Sequence, residues 1–261
     1  MTLFNIIKYG LVGSYSMLST ANATTLTIIT VAAIAMCCIS GYLLGSINFA
    51  IIISKLKNDD VREHGSNNAG TTNMLRTYGK KATLFTFLGD FLKAIVACFI
   101  GGMLWGHNGV YLAGLFCVIG HIFPVFYKFK GGKGVATVAG VMLFGDPIVF
   151  LILLALFIGV FLTSKYVSLA SIMCAAMYPF VLQRMELLFG GNPDIHIIFT
   201  LAMSVIVIIK HIPNINRIMN HTESKTYFSK AKRAEEKAKR EAIKAQLDNK
   251  KTKSLHNEDD V

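Results

Sequence analysis

Apolar residues along this chain fall in long unbroken runs, with neither the alternation of a half-buried strand nor the stripe of a surface helix. The stretches 26–39, 82–88, 94–104, 148–163 and 197–209 contain no Lys, Arg, Asp or Glu. With their flanks, several reach the ~20 residues that a hydrocarbon core ~30 Å thick requires. The pattern predicts an all-α integral membrane protein with seven transmembrane helices, near 26–54, 82–105, 108–127, 134–145, 147–163, 166–183 and 194–213. The fourth is short for a full span, and is expected to be tilted, sunk between its neighbours or re-entrant. Gly145-Asp146-Pro147 should end it, because proline breaks a helix and glycine permits a turn.

Composition agrees: 53% of the 261 residues are hydrophobic, and the mean hydropathy is +0.52. A soluble domain of this size needs more polar surface. The five cysteines lie within apolar stretches, with no CxxC pair and no ligand-like spacing to histidine. Neither a disulfide framework nor a metal site is expected, and no cofactor is implied.

The net charge of +11 raises the question of a nucleic-acid partner, but its distribution answers against one. Lys55, Lys57, Arg62, Arg76, Lys80 and Lys81 follow the first helix, Lys128, Lys130 and Lys133 the third, Lys165 the fifth, and a basic tail the seventh. The alternate loops are poor in Lys and Arg. This asymmetry places the basic loops and the C-terminus in the cytoplasm and the N-terminus outside. In residues 1–25, Lys8 sits inside the apolar stretch rather than ahead of it, which favours an uncleaved N-terminal extension over a signal peptide. Three segments are therefore expected: this extension, a membrane domain over 26–217, and a charged, partly helical cytoplasmic tail over 218–261.

Three of the loops assigned to the cytoplasm are more than topology signals. Gly65-Ser66-Asn67-Asn68-Ala69-Gly70-Thr71-Thr72-Asn73 is dense in small donors, flanked by Arg62 and Arg76. Glycine lets backbone N–H groups approach an anion, hydroxyls and amides add neutral donors, and arginine binds phosphate bidentately. Gly131-Gly132-Lys133-Gly134 feeds the start of the short helix, a phosphate cradle that is not a Walker loop. His211, Asn214 and Arg217 recur at three-residue intervals, on one face if the segment is helical. Together these loops suggest a shared anion site. Asp90 and Lys93, inside the second helix, are expected to act as structural glue, and His121 to pack beside the second loop.

With those residues in place, the chain resembles the PlsY family of membrane glycerol-3-phosphate acyltransferases that use acyl phosphate. The resemblance spans roughly residues 40–217 and rests on Gly41-Tyr42-Leu43-Leu44-Gly45-Ser46-Ile47, the 65–76 loop, Gly120-His121-Ile122-Phe123-Pro124-Val125 through Thr137, Tyr166-Val167-Ser168-Leu169-Ala170-Ser171, and 211–217. Asn67, Ala69, Thr71 and Ala94 depart from the family pattern and bear on substrate affinity more than on reaction class. The resemblance implies transfer of a fatty acyl group from acyl phosphate to the sn-1 hydroxyl of glycerol 3-phosphate at the cell membrane, giving lysophosphatidic acid and phosphate. It implies catalytic roles for Ser66, Arg76, Lys133, His211 and Asn214. Substrate-binding roles fall to Ser46, Arg62, Gly65, Asn68, Thr72, Asn73, Gly131, Gly132, Gly134, Ser171 and Arg217. The general base stays open between His211 and the substrate's own phosphate. A second enzyme supplying acyl phosphate is an implied partner. Every matched segment ends by Arg217, so the tail is expected to be dispensable. A transporter for a phosphorylated solute is the main rival, but it does not account for three donor-rich loops on one face.

Overall fold

A computed structural model describes residues 3–17, 22–189, 194–227, 234–236, 238–243 and 245–246. Among them there is no strand. Helix α1 (Leu3–Ser16) precedes α2 (Ala23–Ser46), the short α3 (Phe49–Lys55) and α4 (Thr71–Thr77), then the long α5 (Gly79–Ile122). Helices α6 (Val135–Gly145), α7 (Pro147–Ser164), α8 (Val167–Leu188), α9 (Asp194–Lys210) and α10 (Ile212–Met219) complete the bundle.

Helix α5 is a hairpin. Trp105 (φ −135°, ψ 31°) and Gly106 (φ 56°, ψ −145°) break its geometry, and the chain reverses there. Lys93 meets His121 at 3.0 Å across the two arms. Nearer the turn, a side chain on Gly101 or Gly109 would strike the other's carbonyl oxygen. The expected helices at 82–105 and 108–127 are these arms, the second ending at Ile122 rather than at 127. Among the described residues, four helices are long and apolar enough to cross a membrane, or five if the bent α9–α10 pair is one span; α5, with its two antiparallel arms, counts once.

Small residues set the packing. Gly41 and Gly45 press α2 directly on the backbone of Ala113 and Cys117 in the second arm of α5, the close approach expected where lipid gives helices no hydrophobic reason to associate. Short α6 lies against both arms, Gly140 on Phe91 and Val141 on Gly114. The core runs through Tyr111, Val118, Val141, Leu153, Tyr178 and Met203. Outward-facing Ile28, Phe85, Leu151 and Phe180 are exposed, the inside-out distribution of a protein solvated by hydrocarbon.

Two expected helices are broken. The run at 26–54 stops at Ser46, and Asn48 restarts it as the cap of α3, its Oδ1 accepting from Ile51 N at 3.1 Å. This break strands carbonyls at the end of α2, and Lys93 satisfies them. Its Nζ lies 2.9 Å from Gly45 O, 2.6 Å from Ile47 O, 2.8 Å from Asp90 Oδ1 and 3.0 Å from His121 Nδ1. The stretch at 194–213 bends by 50° at His211, between α9 and α10.

Candidate functional site

A polar cavity of about 210 Å³ opens where the 65–73 loop, the start of α6, the start of α8 and the α9–α10 bend converge. Helices α6 and α8 both bring their N-termini to it, so unpaired backbone N–H groups and positive dipole ends face the same space.

Lys133 is the cation at its centre. Gly132 brings this loop hard against the first one, since a side chain there would collide with His121 Nε2 and Ala69 O. Gly134 then turns into α6 with φ +85°. Lys133 Nζ donates to Asn214 Oδ1. Asn214 Nδ2 in turn donates to Glu223 Oε1 at 2.8 Å, and Glu223 also accepts from Ser168 Oγ (3.0 Å) and Arg217 Nε (2.6 Å). Burial pushes the Glu223 carboxyl up, but the hydrogen bonds and charge of Arg217 and the bonds from Asn214 and Ser168 outweigh it and hold the pKa below its ordinary value. Lys133 reaches the cavity, yet the space around it is confined. Burial and repulsion from Arg217 and Arg76, against the attraction of Glu223, pull its pKa down to about 8.

Arg76 stands at the rim with no protein acceptor among the described residues, a second cation available to an anionic ligand. His211 is 2% exposed and its Nδ1 lies 2.8 Å from Val207 O. A carbonyl only accepts, so Nδ1 carries the hydrogen and Nε2 is a bare lone pair. Below the polar space lies a second, apolar cavity of about 230 Å³ between α6, α7 and α8. Phe87, Val135, Ala136, Phe157 and Ser171 line both.

A cationic, donor-rich chamber joined to an apolar one suits a ligand with a phosphate at one end and a hydrocarbon tail at the other. The sequence profile of the glycerol-3-phosphate acyltransferase family matches residues 34–221. The chain belongs to that family. A glycerol-3-phosphate acyltransferase of Finegoldia magna is 46% identical over 188 residues, covering 70% of this chain and 91% of that relative. Another from Bacillus cereus is 44% identical, covering 74% and 94%. The crystal structure of PlsY (YgiH), an integral membrane glycerol 3-phosphate acyltransferase, in its glycerol 3-phosphate form is 37% identical with a TM-score of 0.69, covering 74% of this chain and 96% of that one. Its lysophosphatidic acid form gives 37% and 0.67, covering 74% and 95%. This chain is thus an integral membrane acyltransferase.

Within the acyltransferase, Ser66, Asn68, Thr72, Asn73, Arg76, Lys133, Gly134, Ser171, His211 and Asn214 line the polar cavity. Asn73 also builds the first loop, accepting from Ser66 N (2.9 Å) and donating to Val61 O (2.9 Å) and His64 O (2.8 Å). Six residues named from the sequence stand behind the wall. Arg62 pairs with Asp60 and donates to Tyr127 O (3.1 Å) and Lys130 O (3.2 Å), tying the first loop to the second. Gly65 turns the loop at φ +63° against Asn73. Gly131 N and Gly132 N donate to Ile122 O and His121 O. Buried Ser46 accepts from Val125 N at 3.4 Å, and Arg217 holds Glu223. Asn67, at φ 55°, is exposed outside the cavity wall, so the departure from glycine leaves the chamber unobstructed.

Sequence reasoning missed Glu223. It lies beyond Arg217, in the stretch expected to be a dispensable tail, yet it is 4% exposed and lines the cavity. The chain after α10 folds back, with Thr226 N donating to Lys165 O at 2.9 Å. A carboxylate among site cations was the available signal. Asp90 and His121, read as packing, also reach the cavity wall.

Proposed function

We propose that this acyltransferase moves a fatty acyl group from acyl phosphate to the sn-1 hydroxyl of glycerol 3-phosphate, giving lysophosphatidic acid and inorganic phosphate. The observation that carries this reading is the shared wall between the polar and apolar cavities, at Phe87, Val135, Ala136, Phe157 and Ser171. A soluble phosphorylated acceptor can enter the first while an acyl chain lies in the second, bringing the reacting carbonyl to their junction. The glycerol 3-phosphate and lysophosphatidic acid forms of the PlsY structure support the acceptor and the product.

In the reaction the acceptor oxygen bonds to the acyl carbon, the acyl–phosphate C–O bond breaks, and phosphate leaves with the electron pair. Phosphate is a good leaving group, so orientation and charge stabilisation suffice, with no covalent acyl-enzyme. Lys133, Arg76 and the N-terminus of α6 hold phosphate. His211 Nε2 accepts the hydrogen bond of the attacking hydroxyl, and the proton ends on phosphate. His-x4-Asp, the signature of soluble acyltransferases, does not occur in this sequence.

The two arms of α5 and the helices α2, α6, α7, α8 and α9 make seven segments, which we assign as seven crossings with the cavity facing the cytoplasm, in line with the basic loops. Purified enzyme in lipid should release phosphate from acyl phosphate only when glycerol 3-phosphate is present. Equal turnover with acyl-CoA, without phosphate release, overturns the donor assignment. Labelling of Lys130→Cys by an impermeant reagent from outside intact cells overturns the orientation.

A further inference from the structure

At the opposite end of the bundle the structure gathers four ionisable side chains that the acyl-transfer site does not use. His107 comes from the α5 turn, Asp146 from the junction of α6 and α7, Glu186 from the end of α8 and His196 from the start of α9. The arm of α5 from Asp90 to this turn is roughly 20 Å long at 1.5 Å per residue, so the cluster is remote from the cavity. The ligating atoms of His107, Glu186 and His196 all lie within 4.8 Å of one another.

Three details point to a bound cation. His196 Nε2 lies 2.9 Å from Asn108 Oδ1, an acceptor, so Nε2 carries the hydrogen and Nδ1 presents a lone pair. That lone pair faces Glu186 Oε1 at 2.6 Å. Two acceptors at this separation share a proton, and a metal ion that takes the proton's place must spread them apart. The other oxygen, Glu186 Oε2, is buried and without a hydrogen-bond partner, on a side chain only 10% exposed. An outer shell also exists: Asn108 fixes His196, and the Tyr111 hydroxyl donates to Asp146, which sits 4.0 Å from His107. Metal-bound histidines are oriented in this way.

We propose that His107, Glu186 and His196 form a divalent metal site of the zinc class, with water as fourth ligand held by Asp146. Two imidazoles and a carboxylate suit zinc better than calcium or magnesium. Around a tetrahedral zinc ion the ligand atoms stand about 3.4 Å apart. Seating the ion therefore opens the 2.6 Å Glu186–His196 pair to that spacing, while the exposed ring of His107 closes on it by rotation and gives the ion a way in. The ion clamps the α5 turn to α7, α8 and α9, which makes it structural.

The test uses the full chain, purified in detergent, stripped with chelator and titrated with Zn²⁺ and with Co²⁺ as a spectroscopic probe. One ion per chain should bind, Zn²⁺ should displace the visible absorption of Co²⁺, and Zn²⁺ should raise Tm. Glu186→Gln, which preserves shape, and His107→Gln should each lower affinity by roughly 100-fold or more, since even outer-shell losses reach that scale. Both should leave acyl transfer near normal, and His64→Gln should bind as the parent does. In the unmutated protein, Zn²⁺ should protect His107 from diethylpyrocarbonate. Less than one ion per chain, equal uptake by the two variants, or equal modification of His107 with and without Zn²⁺ overturns the proposal.

Discussion

Lys93 and Lys133 are both held among packed helices, but their protons are used differently. Lys93 has four acceptors within 3.0 Å, two of them carbonyls stranded where α2 breaks. Lys133 has one protein acceptor among the described residues, Asn214 Oδ1, and keeps donors for a ligand. Residue type and depth do not separate the two; the degree to which each side chain is already satisfied by the protein does. The same test divides the arginines. Arg62 is saturated by Asp60 and two carbonyls, while Arg76 at the cavity rim has no acceptor among the described residues.

The largest effect should come from breaking the saturated side of that comparison. Lys93→Met strands Asp90 and two carbonyls in the bundle core and should cost ~3–5 kcal/mol, the scale of a broken buried pair. Thermal unfolding in detergent measures it. A variant with normal Tm but lost activity would mean that Lys93 works on substrate after all.

Lys133→Ala is the converse. It should lower kcat/KM by at least ~100-fold, about one charge-assisted contact in a confined site, with little change in Tm. Lys133→Arg should recover only part, because a planar fork does not replace a point charge in a tight glycine turn. Steady-state phosphate release on equally inserted variants is the assay. Near-normal kcat/KM in Lys133→Ala would reduce the loop to a topology signal.

pH sharpens the same residue. Lys133 is charged below about 8 and neutral above it. kcat/KM should therefore fall about tenfold by pH 9, and Lys133→Arg should flatten that limb. Stability runs the other way: an unfolded lysine keeps its proton to an ordinary 10.5, so the unfolded chain binds more protons between about 8 and 10.5 and the fold gains stability as pH rises. A melt that holds while activity falls assigns the loss to the site. A flat rate profile to pH 9 removes Lys133 from it.

Much of this arrangement was legible in the sequence. Charge-free apolar runs gave the helices, and Gly145-Asp146-Pro147 the break before α7. Donor-rich loops gave the cavity's first and second walls. What escaped depends on the chain returning to itself. A lone Asn48 is the one local sign of the stop at Ser46, and the group that makes the break tolerable, Lys93, lies on another helix. His107, Glu186 and His196 have no ligand spacing along the chain; they meet only because α5 reverses at Gly106, α8 ends beside it and α9 begins there. Arg62 was grouped with the anion site because a charge pattern does not reveal which arginine already has a partner.

The smallest expected effect tests where the site ends. Deleting 228–261 leaves Glu223 and the contact of Thr226 with Lys165 in place. Among the described residues of the removed part, Arg240 touches the cavity rim, donating to Ser224. Its loss should change kcat/KM by less than about threefold, the low end of the net value of a single hydrogen bond. Deleting 222–261 instead removes Glu223, the carboxylate that orders Asn214 and Arg217 around Lys133. That truncation should fall well below the shorter one, and Glu223→Gln should fall with it by about tenfold, the value of one charged hydrogen bond. The order of the three variants decides the matter. Equal activity for both truncations would return Glu223 to the tail and leave Asn214 alone to position Lys133. A collapse on removing only 228–261, in protein that still inserts, would extend the site to Arg240.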